Sequence, residues 1–122
     1  MTQVSQNVSE EDLEHLTALF RLLSDRTRLN IVLLLAQGER NVTSLCEELR
    51  LPQPTVSHHL GLLRTSNLVT NRRMGKQVFY ALPAEAKAKI SDETARVPLG
   101  LGAGRFMVRI ADPAFEVNSV EA

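Results

Sequence analysis

The segment Leu51-Pro52-Gln53-Pro54-Thr55-Val56-Ser57-His58-His59-Leu60 restricts the possible folds more than any other part of the chain. Pro52 and Pro54 fix backbone torsions where the first turn of a helix has no amide partners to lose. Beyond them Val56, Leu60 and Leu63 recur at helical spacing. At about 100° per residue, Thr55, Ser57, His58 and Gly61 point away from that stripe, and His59 lies at its edge. A helix anchored on one side and lined with compact donors and acceptors on the other suits the major groove of B-DNA. The segment reads as the recognition helix of a helix-turn-helix, spanning 53–66.

The flanking sequence supplies the rest of such a unit. Ser9 followed by Glu10, Glu11 and Asp12 predicts a capped helix start, since acids favour the positive helix end. Leu13, Leu16, Phe20 and Leu23 then form one stripe over 9–23. Asp25 predicts the cap of a second helix over 26–37, ended by Gly38 and apolar on nearly every side, as a central helix must be. A third helix over 43–50 is anchored by Val42, Leu45 and Leu49. After Asn67 the period changes, and 68–73 and 76–82 read as strands around Met74-Gly75. Successive helices followed by a basic hairpin give the winged helix-turn-helix order.

Further on, 83–94 predicts a fifth, alanine-rich helix. The run Pro98-Leu99-Gly100-Leu101-Gly102-Ala103-Gly104 reads as a break or hinge, and Phe106, Val108 and Ile110 alternate as in a short strand. The expected organisation is one domain over 1–122: a dimerisation helix at 9–23, a DNA-binding core at 25–82 with its wing at 68–82, an extension at 83–112 that also serves dimerisation, and a loose tail at 113–122. The fold class is mostly α with a small β-hairpin wing.

Charge refines the functional reading. The formal net charge is zero, which alone argues against a polyanionic partner. Yet no acid lies between Glu48 and Glu85, whereas Arg50, Arg64, Arg72, Arg73 and Lys76 all do. Phosphate neutralisation requires local positive charge without local repulsion. The candidate DNA-binding residues are therefore Gln53, Thr55, Ser57 and His58 toward base edges, His59 toward packing or phosphate, and Arg64, Arg72, Arg73 and Lys76 toward phosphates or the flanking minor groove. Arg28 and Arg50 are lesser candidates. The longest apolar run, from Ile31 to Ala36, is too short to cross a bilayer, and the first twelve residues carry no basic-then-apolar leader. A cytoplasmic protein without membrane attachment is expected.

In this order and spacing, three motifs resemble the ArsR/SmtB family of bacterial winged-helix repressors. They are Leu23-Ser24-Asp25-Arg26-Thr27-Arg28 leading to Gly38-Glu39, the Gln53 to Leu60 helix, and Asn71-Arg72-Arg73-Met74-Gly75-Lys76 ahead of Phe79-Tyr80. The resemblance implies a homodimer that binds a palindromic operator on double-stranded DNA, represses transcription and lets go when an effector binds. Leu13, Leu16, Leu19 and Phe20 are candidates for the dimer interface, with burial inside the subunit as the competing reading. Two positions depart from the pattern. Pro52 stands where similar proteins place a capping serine, and Gly61 stands where many carry lysine.

The resemblance also brings metal sensing to mind, and the residues argue against its usual forms. Asn41 and Thr43 stand near where a paired-thiolate site would need cysteine, and no histidine follows His59 for a fifth-helix zinc site. The single cysteine, Cys46, reads as a buried structural residue. Neighbouring His58 and His59 diverge on a helix and cannot share one ion. No metal, cofactor or catalytic residue is expected, and the effector is unknown. The rival reading is a winged-helix module kept as a protein-interaction or regulatory adaptor.

Overall fold

A computed structural model describes residues 7–86 and 99–110. Helix α1 (Glu10–Leu23) begins with a reciprocal cap, in which the Asp12 amide donates to Ser9 Oγ at 3.1 Å and the Ser9 amide donates to the Asp12 carboxylate at 3.0 Å. Helix α2 (Arg26–Ala36) is capped by Asp25, which accepts from the Arg28 amide at 3.0 Å. Its residues Ile31, Val32 and Leu35 are fully buried, so it is the central helix expected, although Leu33 faces outward.

Between α2 and the next helix lies a strand that periodicity could not reveal, β1 (Arg40–Asn41). Two residues carry no period. Asn41 also caps α3 (Val42–Leu49), accepting from the Ser44 amide at 2.7 Å. Helix α3 ends at Arg50, whose backbone sits in the left-handed region at φ 58° and ψ 47°. Pro52 starts α4 (Gln53–Thr65) without any side-chain cap, and its carbonyl accepts from the Thr55 and Val56 amides at 3.1 and 3.2 Å. Leu45 of α3 and Val56, Leu60 and Leu63 of α4 interlock with α2 in one apolar core.

The wing consists of β2 (Thr70–Met74) and β3 (Gln77–Ala81), paired antiparallel with Met74 opposite Gln77. Gly75 supplies the positive φ, 61°, that the two-residue turn requires. Strand β1 pairs with the other edge of β3, so the wing is three-stranded in the order β1-β3-β2. Leu68 and Val69 precede β2 as buried plugs.

The segment after the wing corrects the sequence reading. Pro83 leads into a single 3-10 turn, Ala84–Ala86; the rest of the expected fifth helix and the tail at 113–122 lie outside the described residues. The glycine-rich run is a strand and no hinge: β4 (Leu99–Ala103) pairs antiparallel with β5 (Phe106–Ile110), which is the strand expected there. Leu99, Leu101 and Ala103 alternate into the core, and glycines occupy the positions between them. A Cβ on Gly100 would meet Met107 Sδ at 2.9 Å, so the missing side chain makes room for a neighbour across the hairpin. Glycines in place of polar residues hid the period of two.

This hairpin lies on α1. Its turn residue Gly104 (φ +61°) approaches so closely that a Cβ there would stand 2.3 Å from His15 Nδ1. Arg105 donates to the Asp12 carboxylate at 3.0 Å and to the Asn7 carbonyl, and stacks over Phe106. The Arg105 hydrogen bond, with the Ser9 amide, holds the Asp12 carboxyl down at about 2.

Candidate nucleic-acid interface

Helix α4 is two-faced, as its spacing demands. Val56, Leu60 and Leu63 are wholly buried, while Gln53, Ser57, His58, Gly61 and Arg64 are exposed. Thr55 and His59 are half-buried at the margin. No Cβ would meet anything at Gly61, so the middle of the outer face is bare backbone. Four of the sequence-derived candidates, Gln53, Ser57, His58 and Arg64, thus share one open surface, with Thr55 and His59 at its rim.

The wing cations divide. Arg73 and Lys76 are exposed near the turn and make no salt bridge among the described residues. Arg72 is different. Its Nε and Nη2 each donate to the Glu39 carboxylate at 2.7 Å, and its guanidinium lies 5.4 Å from the Phe79 ring centre. These hydrogen bonds hold Glu39 below the ordinary carboxylate range and raise Arg72. The acid-free span is therefore acid-free along the chain but not in space, because β1 brings the preceding Glu39 to the wing. Arg72, a candidate for phosphate contact, is thus already paired within the subunit while its side chain stays 54% exposed.

Arg28 is corrected more strongly. Its side chain is only 16% exposed. Nε donates to the Leu22 carbonyl at 2.9 Å, and Nη1 lies 3.2 Å from His59 Nδ1 and 3.9 Å from the Asp25 carboxylate. It is an internal bracket between α1, α2 and α4. Arg50 remains exposed in the turn between α3 and α4. Nothing in the sequence pattern distinguished the two arginines, since both contacts of Arg28 outside its own helix are long-range or to backbone.

The proposed dimer residues also separate. Leu13 and Phe20 are 49% and 54% exposed, whereas Leu19 is 3% exposed and Leu16 packs against the core. Leu19 therefore belongs to the subunit interior, where α1 receives the β4–β5 hairpin, and Leu16 is half-buried against the same core. Cys46 is half-buried, not enclosed, and borders a cleft of about 350 Å³ shared with Gln53, Lys76 and Val78. Among the described residues no group of three potential metal ligands occurs, and no helix is long and apolar enough to cross a membrane.

The comparisons agree with this geometry. A family profile described as bacterial regulatory protein, arsR family, matches residues 25–71, which run from the α2 cap into β2. The arsenical resistance operon repressor of Escherichia coli (strain K12) is 52% identical over 83 residues, covering 64% of this chain and 70% of that protein.

The chain belongs to the arsR family.

Among solved structures, this ArsR-family protein superposes on the transcriptional repressor BigR from Xylella fastidiosa with a TM-score of 0.60 at 36% identity, covering 70% of this chain and 84% of that one. It also resembles a homodimeric winged helix-turn-helix DNA-binding domain from Mycobacterium bovis, with a TM-score of 0.56 at 33% identity over 60% of this chain and 68% of that one. The ArsR-family profile stops at residue 71, so the β4–β5 hairpin lies outside the matched span.

Proposed function

We propose that this ArsR-family regulator acts as a homodimeric repressor that binds a palindromic operator in double-stranded DNA and releases it when an effector binds. The observation that carries the reading is the outer face of α4, where Gln53, Ser57 and His58 stand exposed opposite a fully buried apolar stripe. Gln53, Thr55, Ser57 and His58 contact base edges. His59, Arg64, Arg73 and Lys76 hold phosphates, and Arg72 follows the same surface while tied to Glu39. Leu13 and Phe20 meet their symmetry mates in a second copy, because two half-sites about 34–36 Å apart need two recognition helices. The homodimeric M. bovis domain supports that arrangement.

The test is operator binding by a Thr55→Ala/Ser57→Ala variant. Each lost base contact removes about 1–3 kcal/mol of discrimination, so the preference for operator over random duplex shrinks in a mobility-shift assay. Unchanged discrimination removes these residues from base readout.

A further inference from the structure

A guanidinium has five N–H donors and no acceptor. Arg28 Nη1 lies 3.2 Å from His59 Nδ1, so in that contact the imidazole nitrogen must accept. A neutral imidazole that accepts at Nδ1 carries its proton at Nε2. His59 is half-buried, Arg28 is its hydrogen-bond partner, and among the described residues no buried side-chain nitrogen or oxygen lacks a partner. The Nε2–H therefore reaches solvent. Thr55 precedes His59 by four residues on α4 and shares its side of the helix.

We infer that Arg28 is a positioning residue that fixes the hydrogen-bond polarity of His59, making it an outward donor at the margin of the recognition face. Arg28 itself is clamped: its Nε is occupied by the Leu22 carbonyl, and Asp25 lies 3.9 Å from Nη1. The guanidinium cannot swing away without giving up the end of α1. The proton on His59 is thereby set by residues outside α4. A donor at Nε2 suits phosphate oxygens and the acceptor atoms of purines and thymine, and it mismatches the amino groups of cytosine and adenine. Without Arg28 the ring is free to take the other tautomer and present an acceptor at the same place. This inference rests on the DNA-binding reading for its consequence, though not for the tautomer.

The first test needs neither DNA nor a variant. Nitrogen-15 imidazole correlation spectra of the full chain at neutral pH should show His59 as a single Nε2–H tautomer; an Nδ1–H tautomer or a fast mixture overturns the inference. Arg28→Met should release the ring to a mixture, and Arg28→Lys, which still donates, should restore the Nε2–H signature. A spectrum unchanged by Arg28→Met overturns it too. On operator DNA, Arg28→Met should weaken binding about tenfold, the size of one hydrogen bond to a charged acceptor. The same change made in a His59→Ala chain should matter much less. Equal losses in both backgrounds assign Arg28 to general scaffolding and refute its action through His59. Absence of any operator binding by the unaltered chain defeats the DNA-binding reading and leaves the tautomer result standing.

Discussion

Arg50 holds a backbone conformation that its side chain opposes, at φ 58° and ψ 47° in the turn between α3 and α4. An L-residue there carries a penalty of about 1–2 kcal/mol from its Cβ against the backbone. Glycine removes that penalty and gives back about 0.4–1 kcal/mol through the larger freedom of its unfolded chain. Arg50→Gly should therefore stabilise the free protein by about 0.5–1 kcal/mol, a rise in melting temperature of about 2–4 °C for a domain of this size. Arg50→Ala retains the Cβ and should melt close to the unaltered chain. Strain of this kind persists where the side chain serves a purpose, and an exposed cation beside the start of α4 suits a phosphate. Both variants should thus reduce the salt dependence of operator binding by about one counterion. Differential scanning calorimetry and a salt series in fluorescence anisotropy measure the two halves separately. The reasoning fails if Arg50→Gly melts no higher than Arg50→Ala.

Three further outcomes follow from contacts described above. Arg73→Ala and Lys76→Ala should each flatten the logarithmic salt slope by about 0.9, and Arg72→Ala should do so less because Glu39 already occupies two of its donors; equal effects in the salt series contradict this. The Asp12 carboxyl lies at about 2, below its ordinary 3.8, so the stability it contributes is complete above about pH 4 and is lost as pH falls through about 2. Urea midpoints between pH 5 and 2 should accordingly fall more steeply for the unaltered chain than for Asp12→Asn, and parallel profiles refute the coupling. Gly104→Ala meets both a positive φ and the His15 ring, and should destabilise by about 1–2 kcal/mol or more. Adding His15→Ala should recover only the steric part in equilibrium unfolding.

What the sequence made legible was local. Helices α1 and α2 were announced by Ser9 and Asp25 ahead of apolar periods, and α4 by its two prolines and the spacing of Val56, Leu60 and Leu63. The wing was announced by the change of period around Gly75. Two strands escaped for separate reasons: β1 is two residues long, and β4 carries glycine where an alternating polar residue would have marked it. The electrostatics escaped because charge along a chain is not charge in space. Glu39 and Arg72 are 33 positions apart, as Arg28 and His59 are 31, and no spacing rule connects either pair. The Leu19 side of α1 was ambiguous because a stripe of leucines records burial without recording what covers it.

The contact between Arg105 and Asp12 joins residues 93 positions apart. Closing so wide a circuit carries an entropic cost that grows with the length enclosed. The hairpin and the first turn of α1 thus form a buckle, held by the Arg105–Asp12 pair and by the apolar packing beneath it. Leu99, Leu101 and Ala103 share an apolar cluster with Leu19, so unfastening the buckle also loosens the helix whose outer side carries the exposed Leu13 and Phe20. That outer helix is braced from beneath by a β-ribbon drawn from the far end of the described residues.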